Sequence, residues 1–230
     1  MISGSGRPVT THQHALDALR RAIVAGELRP GQRVAQEEVA AGLGVSVAPV
    51  REALRALEQE GQVTYLPRRG YFVTELRVED LREIYALRAL IEGHAARVAL
   101  PLLDDAAVDR IAGAARDCEV AAEAEDVAGE LEANRRFHFA ILEAPDRPHT
   151  MRVIRTLWDS TEAYRALYYN SPVERRAVVG SHARMIEAIH RGDAEGLVAE
   201  MDAHRDRALA VLGELLEGAG GAEGVSSGAG

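Results

Sequence analysis

The sequence predicts a mainly α-helical chain in two parts, a helical segment that ends in a small β-hairpin and a longer antiparallel bundle made only of helices. Two short β-type runs, residues 62–66 and 71–73, flank the turn Pro67-Arg68-Arg69-Gly70 and predict the hairpin. Beyond Leu76 the strand signals stop and apolar residues recur at helical spacing. We therefore expect a disordered N-terminus, a first domain, a linker, a second domain and a disordered tail, at residues 1–10, 11–75, 76–79, 80–217 and 218–230.

The clearest local signal in the first part is a turn between two helices. Gly44 follows a short apolar helix predicted over residues 37–43, and glycine accepts the positive φ of a tight turn. Ser46 can cap the next helix with its hydroxyl oxygen, and Pro49 then falls in the first turn, where a missing N–H costs nothing. A preceding helix ends near Gly26, so three helices are predicted before the hairpin.

The third of these helices has one apolar and one polar face. Val50, Leu54 and Leu57 repeat at the helical period and are expected to face a core. Alone, this is also the pattern of an ordinary capped amphipathic helix. Three helices followed by a basic hairpin, however, predict a winged helix-turn-helix, a DNA-binding fold. The candidate DNA contacts, with Arg51 foremost, are Ser46, Val47, Ala48, Arg51, Arg55, Arg33, Arg68, Arg69 and Gly70.

Charge is distributed unequally between the two parts. The net charge of −9 argues against a protein that coats nucleic acid in general. Residues 1–75 nevertheless contain nine arginines against eight acidic residues, whereas residues 76–230 contain eighteen against twenty-eight. DNA binding is therefore expected in the first part, with modest non-specific affinity and a strong salt dependence.

The first part resembles the GntR family of bacterial transcription regulators over residues 11–74. The resemblance rests on the order of Pro30-Gly31, Gly44-Val45-Ser46, Pro49-Val50-Arg51-Glu52-Ala53-Leu54, Glu60-Gly61 and Arg69-Gly70-Tyr71. It implies operator binding by the third helix and the hairpin. The chain departs from the family at Val47-Ala48, where an Arg-Thr pair is usual, although an apolar side chain can still contact a thymine methyl group.

Composition favours a cytoplasmic protein. The 230 residues are 47% hydrophobic and 27% charged, as in soluble folded proteins. The N-terminus has no apolar core of a signal peptide, and no span has the length and apolarity of a transmembrane helix. The single cysteine, Cys118, cannot form an internal disulfide.

The second part divides into amphipathic helices at its capping and breaking residues. Asp104 and Asp193 are expected to cap two of them, and Ser171-Pro172-Val173-Glu174 reads as a capping box with proline at the first helical position. The predicted helices cover residues 80–100, 104–124, 127–142, 150–169, 172–191 and 194–218.

Four residues of the bundle form a candidate metal site. Asn134 and His138 share one helical face because they stand four residues apart, and His182 and His204 lie on two further helices. Facing helices can bring such groups together, and three imidazoles with one oxygen donor suit a divalent transition ion such as zinc or nickel. The spacing alone leaves open that these histidines are ordinary core or surface residues.

The second part resembles the FCD ligand-binding domain of the FadR subgroup of GntR regulators over residues 80–216. The resemblance rests on Asn134-Arg135-Arg136-Phe137-His138, Ser181-His182, Ala188-Ile189-His190-Arg191-Gly192-Asp193 and His204. It implies a metal held by Asn134, His138, His182 and His204. The family pattern has Asp or Asn at the first of these positions, and Asn makes the donor set uncharged, which leaves a positive centre attractive to a carboxylate.

The same resemblance implies a small organic acid bound beside the metal. Arg88 is the first candidate to bind it, although Arg88 and Glu92, four residues apart, could also form an ordinary surface ion pair. Tyr164, Arg165 and Tyr168 are further candidates for the pocket wall.

These expectations combine into a homodimeric transcriptional regulator, a repressor in the commonest case, that binds a near-palindromic operator and responds to a carboxylic acid. Two alternatives remain open at the level of sequence. A metal-dependent enzyme is one, since three histidines on an ion can activate water, but no general base adjoins the four residues. The other is a helical interaction module whose histidines are structural.

Overall fold

The structure, a computed structural model, describes residues 10–223, with side chains through residue 217, and divides into two compact units between Glu75 and Leu76. The predicted disordered ends fall largely outside the described residues, at 1–9 and 224–230. Thr10, assigned to the disordered N-terminus, instead caps the first helix by accepting from the backbone N–H of Gln13. The disordered tail predicted from residue 218 is wrong up to residue 223, because the last helix continues that far.

The first unit combines three helices with a three-stranded antiparallel sheet. The sheet order is β1-β3-β2, in which β3 pairs with both neighbours and places Tyr71 opposite Val34 on one side and Tyr65 on the other. The hairpin of β2 and β3 was predicted, but β1 was not, because two residues are too few to show an alternating pattern. The elements are α1 (Thr11–Val24), β1 (Arg33–Val34), α2 (Gln36–Leu43), α3 (Val47–Gln59), β2 (Val63–Leu66) and β3 (Gly70–Val73).

The turn between α2 and α3 has the predicted backbone but not the predicted cap. Gly44 ends α2 with a φ of 65°, in the left-handed region that favours glycine. Ser46 precedes α3 in an extended conformation, yet within the described residues its side chain makes no capping hydrogen bond. Val50, Leu54 and Leu57 are fully buried, which confirms the apolar face of α3.

The second unit is a bundle of helices. Two predicted aspartate caps are confirmed, since Asp104 accepts from the backbone N–H of Ala107 at 2.7 Å and Asp193 from that of Gly196 at 2.8 Å. A 3-10 turn at Leu100–Leu102 separates the first two helices. The helices are α4 (Val78–Ala99), α5 (Asp105–Glu123), α6 (Val127–Leu142), α7 (Pro148–Asp159), α8 (Glu162–Tyr169), α9 (Pro172–His190) and α10 (Ala194–Glu223).

Two boundaries in this unit differ from the sequence prediction. The helix predicted over residues 150–169 is two helices, because the hydroxyls of Ser160 and Thr161 bond back to the carbonyls of Leu157 and Trp158 and interrupt the helix. The linker predicted at 76–79 is shorter, since α4 begins at Val78.

The capping box predicted at Ser171 does not form within the described part of the chain. Glu174 binds Arg207 of α10 instead, through two hydrogen bonds of 2.6 and 2.9 Å. A charge-assisted bidentate pair therefore replaces the local contact, and it ties α9 to α10.

The core of the bundle lies between α4, α5, α6, α7, α9 and α10. Phe137, Ile154 and Trp158 are among its buried members. Among residues 10–223, none of the helices combines the length and apolarity needed to cross a membrane.

Candidate metal centre and nucleic-acid interface

Three histidines from three helices meet inside the bundle. His138 lies on α6, His182 on α9 and His204 on α10, and one ring nitrogen from each lies within 4.8 Å of the others. The three ring centroids are 5.2 to 5.7 Å apart. His138 and His182 are buried and His204 is half-buried. The three predicted histidines are thus brought together in a geometry that can hold a metal ion.

The surroundings keep these imidazoles neutral. Burial lowers the pKa of His138 and of His182 well below the usual range, and His204 lowers both further. Burial, followed by the neighbouring Arg88 and Arg205, lowers the pKa of His204 to about 3. A neutral imidazole has a nitrogen lone pair free for a metal, so near pH 7 all three rings are in the form that binds metals.

Unsatisfied nitrogen atoms at this cluster fit a metal ion. Both ring nitrogens of His138 and Nδ1 of His182 are buried and have no hydrogen-bond partner among the described residues. A buried polar atom without a partner costs free energy, which coordination of an ion would recover. Asn134, on α6, adjoins the cluster, with its Oδ1 3.1 Å from His182 Nε2. Phe137 stacks on the His182 ring at 3.9 Å and holds its orientation.

A small cavity lies directly beside the histidines. The volume that the centre of a water molecule can occupy in it is about 20 Å³, which is room for roughly one ordered water. Asn134 and His204 form part of its wall, so the cavity adjoins the candidate metal centre. The wall also contains three arginines and three tyrosines: Arg88, Arg165, Arg205, Tyr85, Tyr168 and Tyr169.

One buried carboxylate neutralises part of the positive charge at this cavity. Glu92 Oε1 accepts from Arg88 Nε at 2.7 Å and from Trp158 Nε1 at 2.8 Å, and Oε2 accepts from Arg205 Nη1 at 2.8 Å. Burial raises the pKa of Glu92, but the two arginines together lower it more, so the pKa lies below its usual value. Arg88 and Glu92 are 5% and 1% exposed, so their pair is a buried one and not the surface ion pair that the sequence left open.

Arg165 has no comparable partner. Its guanidinium is buried, and Nε, Nη1 and Nη2 all lack a hydrogen-bond acceptor within the described part of the chain. It lies over the Trp158 ring at 4.3 Å, and Oε1 of Glu162 is 3.8 Å away. Burial lowers the pKa of Arg165, which reflects the cost of holding this charge out of water.

The predicted acid-binding residues divide into two groups. Arg88, Arg165 and Tyr168 lie in the cavity wall. Tyr164, by contrast, is buried on α8 and its hydroxyl accepts from the backbone N–H of Leu76 at 2.6 Å. Arg205 also lies in this wall and was not predicted from the sequence, although its position directly after His204 could have suggested it.

In the first unit, the candidate DNA contacts lie on an accessible surface. Arg33, Ser46, Ala48, Arg51, Arg55, Arg68 and Arg69 are exposed, and Val47 and Gly70 are half-buried. Arg51 Nε donates to Gln36 Oε1 at 3.3 Å, which links the third helix to α2. The hairpin tip is also ordered by its own side chains, since Arg69 lies over the Phe72 ring at 5.1 Å.

An open groove joins α2, α3 and the hairpin strands in this unit. It is lined by Arg51 and Arg55 together with Gln36, Tyr65 and Tyr71. The rings of Tyr65 and Tyr71 are 5.0 Å apart, and Tyr65 is 47% exposed. Gln36 and Tyr65 were missed from the sequence, because only the fold brings α2 and the hairpin beside α3.

Two family models match this chain. The model described as "Bacterial regulatory proteins, gntR family" matches residues 11–73, and the model described as "FCD domain" matches residues 83–207. The matches therefore cover the winged unit and most of the bundle, including all four candidate metal ligands.

Individual relatives agree with these matches. An uncharacterized HTH-type transcriptional regulator of Agrobacterium vitis is 34% identical over 141 residues, 60% of this chain and 80% of the relative. The uncharacterized regulator YdhC of Bacillus subtilis is 24% identical over 212 residues, 92% and 95% of the two chains. Among solved structures, McbR/YncC of Escherichia coli superposes with a TM-score of 0.80 at 24% identity, over 90% of this chain and 99% of that one, and thus shares its fold.

Proposed function

Because this chain belongs to the GntR family of bacterial transcriptional regulators and carries an FCD domain, we propose that it is a repressor controlled by a small organic acid. As a homodimer it binds a near-palindromic operator through the winged unit. The acid binds beside a divalent metal ion in the bundle and releases the operator. The matching families and relatives are transcriptional regulators and not enzymes.

The acid-sensing part of this proposal is supported by the side chains that line and adjoin the cavity. His204 and Asn134 form one part of its wall, with ring nitrogens of His138 and His182 within 4.8 Å of one from His204. The guanidinium of Arg165, which has no hydrogen-bond acceptor among the described residues, forms another part. FCD domains are known to bind metals, and a donor set of imidazole nitrogen and amide oxygen favours zinc or nickel. When bound, such an ion offers open coordination positions to a carboxylate.

DNA binding is supported by the exposed face of α3. Arg51 and Arg55 stand one turn apart on this face, and Arg68 and Arg69 lie at the tip of the hairpin. Symmetric half-sites require the two α3 helices of a dimer to lie roughly 34 Å apart, so that they enter successive major grooves. With apolar Val47 and Ala48 at the start of α3, base contact there is limited to groups such as the thymine methyl.

The DNA-binding part is tested with fragments that the wild-type protein selects from a genomic library. Arg51→Ala is expected to abolish the gel shift while the protein remains a dimer by size-exclusion chromatography. Arg110→Ala, which removes an exposed arginine of the bundle, serves as the charge-matched control. Unchanged binding by Arg51→Ala would contradict the assignment.

The metal part is tested by elemental analysis of protein made without a histidine tag. The wild-type chain is expected to carry about one zinc or nickel ion per subunit, in line with one four-donor site. His138→Ala, His182→Ala and His204→Ala combined are expected to remove it. The control is His149→Ala, at an exposed histidine outside the cluster. If the triple variant does not fold, His204→Ala alone should weaken zinc binding in a competition with a chromogenic chelator.

A further inference from the structure

The cavity beside the histidines is lined by hydrogen-bond donors for which the bundle supplies too few acceptors. Glu92 is fully engaged, because its two oxygens accept three hydrogen bonds, from Arg88, Arg205 and Trp158. Arg88 and Arg205 thus share this carboxylate, and Arg205 also donates to Asp202. The hydroxyl of Tyr85, also in the wall, is buried and has no partner among the residues described.

Arg165 is the strongest of these unsatisfied donors. It is 4% exposed, and all three of its nitrogens lack acceptors in the part of the chain that the structure describes. The 3.8 Å that separates Arg165 Nη2 from Glu162 Oε1 is longer than a hydrogen bond. A buried guanidinium without an acceptor is costly, and its planar fork of N–H groups matches a carboxylate in two-point contact. An anionic group placed here would satisfy several donors at once.

The charge of the cavity points in the same direction. The positive charges of Arg88, Arg165 and Arg205 are balanced by the negative charges of Glu92, Glu162 and Asp202. A histidine binds a metal as the neutral imidazole, and Asn134 carries no charge, so a bound divalent ion would add its full charge. A ligand with one negative charge would therefore leave one positive charge at the site, and a second negative charge would neutralise it.

We propose that the acid carries two anionic groups, one bound beside the histidine cluster and the other by Arg165. The inference rests on the proposed acid-sensing function and narrows its ligand to compact dianions such as short dicarboxylates. The ligand must be compact, because the centre of a water molecule can occupy only about 20 Å³ of the cavity. Its binding requires the wall to move outward, and α8, which carries Arg165 and Tyr168, is one of the shortest helices described in this unit.

The test compares ligands that differ in one charge at nearly equal size. Calorimetric dissociation constants are measured for succinate against succinamate and for malonate against malonamate, with zinc-loaded full-length protein in a zinc buffer. We expect the dianion of at least one pair to bind about tenfold more tightly or better, a difference equivalent to about 1.4 kcal/mol. Equal affinities within both pairs would overturn the inference but leave the acid-sensing function standing, whereas no binding by any of the four acids would count against both.

Arg165→Met separates the guanidinium from the metal ion as the source of the preference. This variant is expected to bind succinate and succinamate within about twofold of each other, since the two-point contact is lost. Arg110→Met, at the exposed bundle arginine, is expected to keep the wild-type preference. A dicarboxylate that gains its affinity at the ion alone would keep its advantage in Arg165→Met, and that result overturns the inference.

A stability measurement without ligand gives an independent readout. Because Arg165 is a buried charge without an acceptor, Arg165→Met is expected to raise the thermal unfolding midpoint of the ligand-free protein, and a lowered midpoint would speak against an unsatisfied guanidinium. Should this variant not fold, Arg165→Lys is used instead. It keeps the charge but not the fork, so the preference for succinate should fall and not vanish.

Discussion

Replacing Glu92 by glutamine is expected to destabilise the bundle strongly, because Glu92 binds two buried arginines, Arg88 and Arg205. Among the residues with described side chains, the one other carboxylate that binds either arginine is the half-exposed Asp202, beside Arg205. Glu92 is fully buried, and it contacts the two guanidinium groups at 2.7 and 2.8 Å. Glutamine has nearly the same shape and can still accept from Trp158. The substitution therefore removes the charge and leaves the packing.

The size of the loss follows from the burial of the partners. At an effective dielectric constant of 20, two unit charges about 4 Å apart attract by about 4 kcal/mol. Two such attractions are lost, and the desolvation cost of the carboxylate, several kcal/mol, is recovered. Removing one partner of a buried ion pair costs about 3–5 kcal/mol in practice. This is a large share of the roughly 5–15 kcal/mol that stabilises a folded domain.

Urea unfolding followed by tryptophan fluorescence measures this loss. Trp158 is the only tryptophan in the sequence and donates to Glu92, so its emission reports on the bundle and not on the winged unit. The control is Glu195→Gln. The Glu195 carboxylate makes two equally short contacts to Arg97, but its side chain is 74% exposed. Water screens that pair, so its unfolding midpoint should hardly change. Equal midpoints for the two variants would refute the argument that burial makes the Glu92 contacts strong.

Four further outcomes are expected. Burial raises the pKa of Glu130 from 4.5 to about 7. The stability due to its protonated form is therefore complete below pH 4.5 and lost as the pH rises through 7. In urea titrations at pH 4.5 and 8, the free energy of unfolding of the wild type should fall by on the order of 2 kcal/mol relative to that of Glu130→Gln. Asp104→Ala should lower the free energy of unfolding by about 1 kcal/mol in the same assay, because a helix cap is lost. Ser46 makes no capping bond among the described residues, so Ser46→Ala should leave the thermal unfolding of the winged unit, followed by circular dichroism, unchanged. Burial raises the pKa of Cys118 to about 12, so iodoacetamide at pH 8 should label it only after unfolding in urea.

Local patterns were sufficient where one residue or one helix face decides the structure. Gly44 ends α2 in the left-handed region because glycine alone has no steric penalty there, and Asp104 caps α5 because its partner is three residues away. The same local reasoning failed at Ser171, where Glu174 has a stronger partner in Arg207, far along the chain. A local motif forms only if no distant group competes for its side chains.

The sequence by itself predicted most of the elements and the apolar face of α3, because periodicity is a property of neighbouring residues. It also predicted the three histidines of the candidate metal centre, through the motifs that carry the family resemblance. Only the tertiary structure decided which charges at the cavity are neutralised. Arg88 and Arg165 are both arginines with an acidic residue three or four positions away, yet Arg88 meets a buried carboxylate at 2.7 Å and Arg165 has no hydrogen-bond acceptor among the described residues. Burial and distance set the strength of such a pair, and both depend on how α4, α8 and α10 pack together.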